Sequence, residues 1–294
     1  MGYHAALEQR DLHELAQRLD QVDADHRGFA YEGAAMALVL LDGLSPPVIR
    51  MKPKWRRFAG FLHGPGKQHI YMLHVGAGWA FARLPWLRRR MESVIAGFHP
   101  VLRWLAMDGY GFHEGYFHWR TPLQPKISRL SENARHVFYQ GLGRSLWFVH
   151  GADARTIAQN ISTFPAPFRA DGWSGVGLGC AYAGGMNPTE LEELNCCAGL
   201  DRAALAQGAA FAAGARQLAG NPAAHTDLAC LILCGVSAEQ AAVWCDLTLE
   251  QTPSADPMPY QKWRELLQKQ VTGYWEQVTG REPAFDLVAR HAAS

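Results

Sequence analysis

A chain of 294 residues that is 48% hydrophobic and 19% charged can bury a sizeable core, and its composition excludes intrinsic disorder. Lys and Arg number 28 against 27 Asp and Glu, a net charge of +1, so the basic excess of a nucleic-acid binder is missing and no nucleic-acid partner is expected.

The opening stretch carries Glu8, Gln9, Arg10, Asp11, His13 and Glu14 and no apolar core segment, so no secretory leader is predicted. Leu12, Leu15, Ala16, Leu19 and Val22 predict an amphipathic N-terminal cap helix within 1–24. The longest apolar run, Ala34 to Leu41, falls well short of the ~20 residues of a membrane span, so none is expected. Lys52, Lys54, Arg56 and Arg57 surround Trp55, and Arg88, Arg89 and Arg90 follow Trp86. Either group suits phosphate or an anionic membrane surface, and equally a solvated face or helix end. Leu62-His63-Gly64-Pro65-Gly66-Lys67 reads as a turn-rich insert, either an idle one or a cover over a pocket.

Beyond it, Leu87, Met91, Val94, Ile95 and Phe98 predict one amphipathic helix, and Ile127 to Val137 repeats the spacing in part. Breakers stand at Pro85, Thr121-Pro122, Pro165, Pro167, Gly184-Gly185-Met186-Asn187-Pro188 and Gly220-Asn221-Pro222. Thr189, ahead of Glu190 and Glu192, predicts a helix start. Gln251 to Pro257 is a loop, Trp263, Leu266, Leu267, Val271, Tyr274 and Trp275 form a closing helix over 258–280, and Ala292 to Ser294 fray. The six cysteines form no CxxC pair and lie among Ala and Leu, which predicts buried free thiols in a reducing cytoplasm and no zinc site.

One signature recurs along the chain. Gly-x-(Gly/Ala) begins at Gly33, Gly76, Gly109, Gly141, Gly175 and Gly208, in steps of 43, 33, 32, 34 and 33 residues. Removing about ten residues at the insert restores the period, and a step of about 33 residues suits one helix–turn–helix unit. Glycine inside a helix costs about 1 kcal/mol relative to alanine. Six placements at one phase therefore predict close approach of neighbouring helix backbones. Gly109-x-Gly111 and Gly175-x-Gly177-x-Gly179 faintly resemble a dinucleotide fingerprint, but that motif requires a preceding strand and its own spacing, and both are absent. No cofactor is expected.

Several stretches carry a resemblance: Arg27-Gly28-Phe29-Ala30-Tyr31-Glu32-Gly33-Ala34-Ala35-Met36, His74-Val75-Gly76-Ala77-Gly78-Trp79-Ala80, Asp108-Gly109-Tyr110-Gly111-Phe112-His113-Glu114-Gly115 and Gly141-Leu142-Gly143-Arg144-Ser145-Leu146-Trp147. From about Arg27 to about Gly220 the chain resembles a bacterial family of undefined activity. Its genes sit in natural-product clusters, notably those making enediyne polyketides. The resemblance implies a cytoplasmic accessory role in secondary metabolism and supplies no catalytic residues. Gly175, Leu178, Gly179, Ala181 and Tyr182 are separately similar to first helices of tetratricopeptide-type repeats, a likeness of architecture only.

Function is sought where the repeat is broken. Three positions past the first glycine stand Trp79, Phe112 and Arg144, four past stand Ala80, His113 and Ser145, and five past stand Phe81, Glu114 and Leu146. A cluster of His113, Glu114 and Arg144 walled by aromatics suits a small-molecule pocket with acid–base assistance, and these three are the catalytic candidates. Trp79, Phe112, Tyr116, Trp147 and Tyr182 are the expected substrate-binding residues. An inter-repeat salt bridge between Glu114 and Arg144 explains that pair as well. Glu114 and His118, one helical turn apart, suit acid–base work or two metal ligands. His113-Glu114 with His118 is nevertheless not HExxH: on a helix the histidines diverge by about 140°, and no metal site is expected. Glu32, Asp108, Gln140, Ser174 and Gln207 share the position before the first glycine, where helix-boundary or inter-repeat hydrogen bonding explains their polarity.

The expected fold is all-α, a solenoid-like array of about six helical hairpins over 25–250 with a helix at each end, in one domain. The expected function is accessory binding or processing of an apolar polyketide intermediate in an aromatic groove. The alternative is a non-catalytic scaffold that holds a partner protein on its concave face.

Overall fold

The computed structural model describes residues 1–45, 55–88, 90–118 and 127–279. The basic residues Lys52, Lys54 and Arg89, the Thr121-Pro122 breaker and the fraying expected of Ala292 to Ser294 lie outside the described residues. Among the described residues there is no strand, and no single helix is long and apolar enough to cross a membrane.

The chain opens with α1 (Gly2–Glu8) and α2 (Leu12–Asp20). Asp11 caps α2 by accepting from the amides of His13 and Glu14, and Leu15, Ala16 and Leu19 turn inward as their spacing predicts. Helix α1 was not legible: its seven residues carry no side-chain cap and too few apolar positions to show a period. The signature-bearing helices are α3 (Ala24–Leu44), α5 (Ile70–Arg83), α8 (Leu105–Phe117), α9 (Glu132–Val149), α11 (Arg169–Ala183) and α13 (Arg202–Leu218). Between them lie α4 (Arg56–His63), α6 (Pro85–Arg88), α7 (Met91–Ile95), α10 (Ala154–Ser162) and α12 (Pro188–Ala198). Then follow α14 (Ala224–Leu233), α15 (Ala238–Glu250) and α16 (Pro259–Thr279).

Three local expectations are corrected. The single helix over Leu87 to Phe98 is two short helices, α6 and α7, broken around Arg90. The helix expected to start at Thr189 is capped two residues earlier by Asn187, in a capping box with Glu190. Pro188 occupies its first turn, where a missing amide costs nothing. The closing helix α16 does not stack on the end of the row. It packs against α13, α15 and α9, with Tyr260, Trp263, Leu267 and Val271 buried and Trp263 stacked on Phe211 at 4.1 Å.

Each signature helix packs against the next. The glycines explain how closely. A Cβ built on Gly109 would overlap the Val75 carbonyl of α5, while one on Gly111 would overlap the Phe138 carbonyl of α9. Gly141 likewise abuts Asp108 of α8 and Gly143 abuts Gly172 of α11, and Gly175 abuts Gln140 while Gly177 abuts Leu205. Two residues along a helix is roughly a half-turn, so the first glycine of each signature serves the preceding helix and the second the following one. Where a methyl is tolerated its partner has none: Ala35 of α3 sits opposite Gly76 of α5.

The row turns back on itself. Phe29 of α3 meets Tyr182 of α11 edge-on at 5.2 Å, and α13 touches α5. Arg216 of α13 is buried and has no carboxylate within ion-pair distance among the described residues. Its guanidinium donates to the carbonyls of Asp25 (3.1 Å), Tyr182 (2.7 Å) and Asn221 (3.0 Å), tying early and late helices together.

Candidate functional site

Curling of the row encloses a cleft of ≈ 480 Å³, counted out to its mouth. Every signature helix contributes to its wall: Phe29 from α3, Tyr71 from α5, Leu105 from α8, Arg144 from α9, Tyr182 from α11 and Phe211 from α13. This wall is apolar apart from the Arg144 guanidinium and the phenols of Tyr71 and Tyr182. The Tyr71 hydroxyl lies 3.9 Å from the Cys245 thiol. Burial pushes the Tyr182 phenol up to about 12, so it stays protonated at neutral pH.

Arg144 is the one cation among the described residues that line the cleft. Its Nε and Nη2 lie 2.8 and 2.7 Å from one Asp108 oxygen, and the guanidinium sits over the Phe112 ring at 4.2 Å. The expected salt-bridge partner was Glu114, and the structure corrects this to Asp108, earlier on the same helix. The reason is the contact between α8 and α9: Gly141 of α9 abuts the Asp108 carbonyl, which places Asp108 beside the turn that carries Gln140 and Arg144. The other Asp108 oxygen accepts from Gln140 Nε2 at 2.9 Å.

That bond starts a buried polar ladder. Ser174 Oγ lies 3.3 Å from Gln140 Oε1 and 3.0 Å from Gln207 Oε1, so the matched positions hydrogen-bond from helix to helix, in mid-helix and not at helix boundaries. Helix α16 completes the ladder: the Tyr260 hydroxyl accepts from Gln140 at 2.9 Å, Arg264 Nε donates to Gln207 at 3.2 Å, and Arg264 pairs with Asp171.

Glu32, at the first of these positions, is a functional candidate that the sequence flagged only as polar. It is buried, and its carboxyl is pushed up to about 7: desolvation raises it most, Arg144 and the Trp79 indole favour the charged form, and Asp108 disfavours it. An unfolded chain releases this proton near 4.5, so between 4.5 and about 7 the folded state holds more protons and loses stability as pH rises. Glu32→Gln is expected to remove that loss. Between about pH 5 and about pH 8, wild type should lose on the order of 2–3 kcal/mol in urea unfolding relative to the variant. Parallel pH profiles for the two proteins would show that Glu32 does not titrate in this way.

The remaining candidates divide. Tyr182 lines the cleft; Trp79, Phe112, Tyr116 and Trp147 do not. Trp147 is buried beside Gly179. Trp79, Phe112 and Tyr116 form an aromatic group, with Trp79–Phe112 centroids at 5.3 Å and Phe112 stacked on Tyr116 at 5.7 Å. Phe148 joins the two places: it walls the cleft and meets Phe112 edge-on at 5.4 Å. His113 and Glu114 belong to the far side of this aromatic group, together with His118. The expected catalytic trio is therefore split, with Arg144 in the cleft wall and the His–Glu pair beyond Trp79.

No curated protein and no solved structure matches the chain. A family model does, over residues 1–271, and by that match the chain belongs to the family described as "Protein of unknown function (DUF1702)".

Proposed function

We propose that the protein binds an extended apolar small molecule with an acidic or carbonyl end in the cleft, as an accessory to secondary metabolism of the enediyne polyketide type. The observation that carries the binding reading is the single guanidinium in an otherwise apolar, aromatic-lined wall. Such a site rewards a long apolar body through burial and orients one polar end on Arg144. Asp108 fixes the guanidinium in place, Tyr182 holds its proton at neutral pH, and Glu32, at about 7, is there divided between its neutral and charged forms. The pathway assignment rests on the motif resemblance. In this reading the signature helices are the inner members of a solenoid-like array of about six helical-hairpin units of about 33 residues. Its N-terminal helices α1 and α2 flank α3, and α16 closes across α9, α13 and α15.

A scaffold that holds a partner protein is the alternative. It needs an open concave face, and against it weighs the contact of α13 with α5, which brings the late helices of the row back against the early ones.

Titrating the purified chain with a fluorescent conjugated polyene carboxylic acid and with its methyl ester tests the proposal. The acid should bind, the ester about tenfold more weakly, in proportion to one lost ionic hydrogen bond of about 1.5 kcal/mol. Ala215→Phe, which projects a ring into the cleft, should weaken the acid at least tenfold. Equal or absent binding across these pairs would leave the scaffold reading. Deleting the gene in its host and identifying the metabolite that accumulates then places the protein in its pathway.

A further inference from the structure

We propose that His113, Glu114 and His118 form a three-ligand site for a divalent first-row transition-metal ion at the C-terminal end of α8. Continuous helix would separate residues five apart by about 140° and keep the two imidazoles from meeting. Helix α8 does not continue: it ends at Phe117, and His118 leaves helical geometry at φ −127°, ψ 22° while its amide still donates to the Glu114 carbonyl. That one-residue change of direction leaves the His113 and His118 ring centroids 5.5 Å apart, while His118 Nδ1, one turn beyond Glu114, lies 3.1 Å from Glu114 Oε2. His113 Nδ1 lies 3.9 Å from Glu114 Oε1, and one ligand atom from each of the three residues falls within 4.8 Å of the others. Nitrogen and oxygen donors at 2.0–2.2 Å around a tetrahedral zinc ion stand about 3.3–3.6 Å apart, so the observed separations need adjust by only a fraction of an ångström to about one ångström.

The surroundings suit an ion. His113 and Glu114 are each 1% exposed, and Trp79 and Phe117 meet the His113 ring at 5.8 and 4.9 Å, which keeps the local dielectric low. The His118 side chain is 40% exposed and offers an entry path. Two imidazoles and one carboxylate select Zn²⁺, Fe²⁺, Co²⁺ or Ni²⁺ over Ca²⁺ and Mg²⁺, which take oxygen ligands. Three protein ligands leave coordination positions open for water or a ligand oxygen, as in catalytic rather than structural metal sites. This site does not depend on what the cleft binds.

The test uses the full chain, freed of metal by chelator and titrated with CoCl₂. Expected are uptake of one equivalent, visible d–d absorption, and displacement by ZnCl₂. His118→Ala alters a half-exposed residue and should retain the helical circular-dichroism signal. It should weaken uptake by about a hundredfold or more, beyond what losing a partner outside the ligand shell costs. X-ray absorption of the cobalt-loaded wild type should show two imidazoles, a readout that stands even if a variant fails to fold. No uptake by wild type, uptake unchanged in His118→Ala, or a metal environment without imidazole would each overturn the proposal.

Discussion

Gly175→Ala should lower the stability of the protein by about 3 kcal/mol or more, seen as a fall in Tm of roughly 6–12 °C for a domain of this size. The added methyl has nowhere to go. It would overlap the Gln140 carbonyl and crowd the Arg144 amide of α9, and both are backbone atoms that no rotamer change can move. Relief requires α9 and α11 to separate, and each is held on its other side by a contact of the same kind. Separation would also pull Ser174 away from Gln140 and break the polar ladder in a buried site. The control is Gly273→Ala in α16, where nothing lies within 4 Å of the new Cβ. There the better helix propensity of alanine should leave stability unchanged or raise it by up to about 1 kcal/mol. Thermal melts of both variants by circular dichroism check the pair. If Gly175→Ala melts like wild type, backbone approach is not why the signature carries glycine.

Removing one partner of the Asp108–Arg144 pair is the second large effect. Asp108→Ala leaves a guanidinium in the cleft wall without its carboxylate, and also strips Gln140 Nε2 of an acceptor. Breaking a buried pair in this way costs about 3–5 kcal/mol, most of it the penalty of stranding the remaining charge. Arg144→Met strands Asp108 instead and should cost a similar amount. The double variant Asp108→Ala/Arg144→Met strands neither charge, so its loss should be well below the sum of the singles. Urea unfolding of the four proteins yields the coupling. Additive losses would mean that the two groups do not act as a pair. In the same set, the polyene acid should lose affinity in both proteins that lack Arg144, including the one that keeps most of its stability.

How much of this was legible in the sequence varies from residue to residue. The recurrence of Gly-x-(Gly/Ala), the turn at Gly64 to Gly66 and the inward face of α2 were readable because each depends on residues a few positions apart. Local signals also have a resolution of one or two residues. That suffices to place a helix and fails to place its end: Asn187 took the cap expected of Thr189, and helix α8 stopped before His118. The end of α8 matters to the chemistry, because a helix continued through His118 would turn its side chain about 140° from that of His113.

By itself, the sequence determined that the chain is helical, that particular helices must approach at glycine distance, and that polar residues recur at one matched phase of them. Only the tertiary structure decided what those residues do. Partner choice depends on the rotation of each helix about its axis, where one residue is about 100°, and on how sharply the row of helices curves. Rotation set Arg144 against Asp108 and placed His113 and His118 beside Glu114. Curvature brought Phe29 against Tyr182 and formed a cleft lined by all six signature helices, which the period alone does not dictate. A repeat length carries no curvature, because the angle between neighbours is set by the shapes of the side chains wedged between helices far apart in the chain.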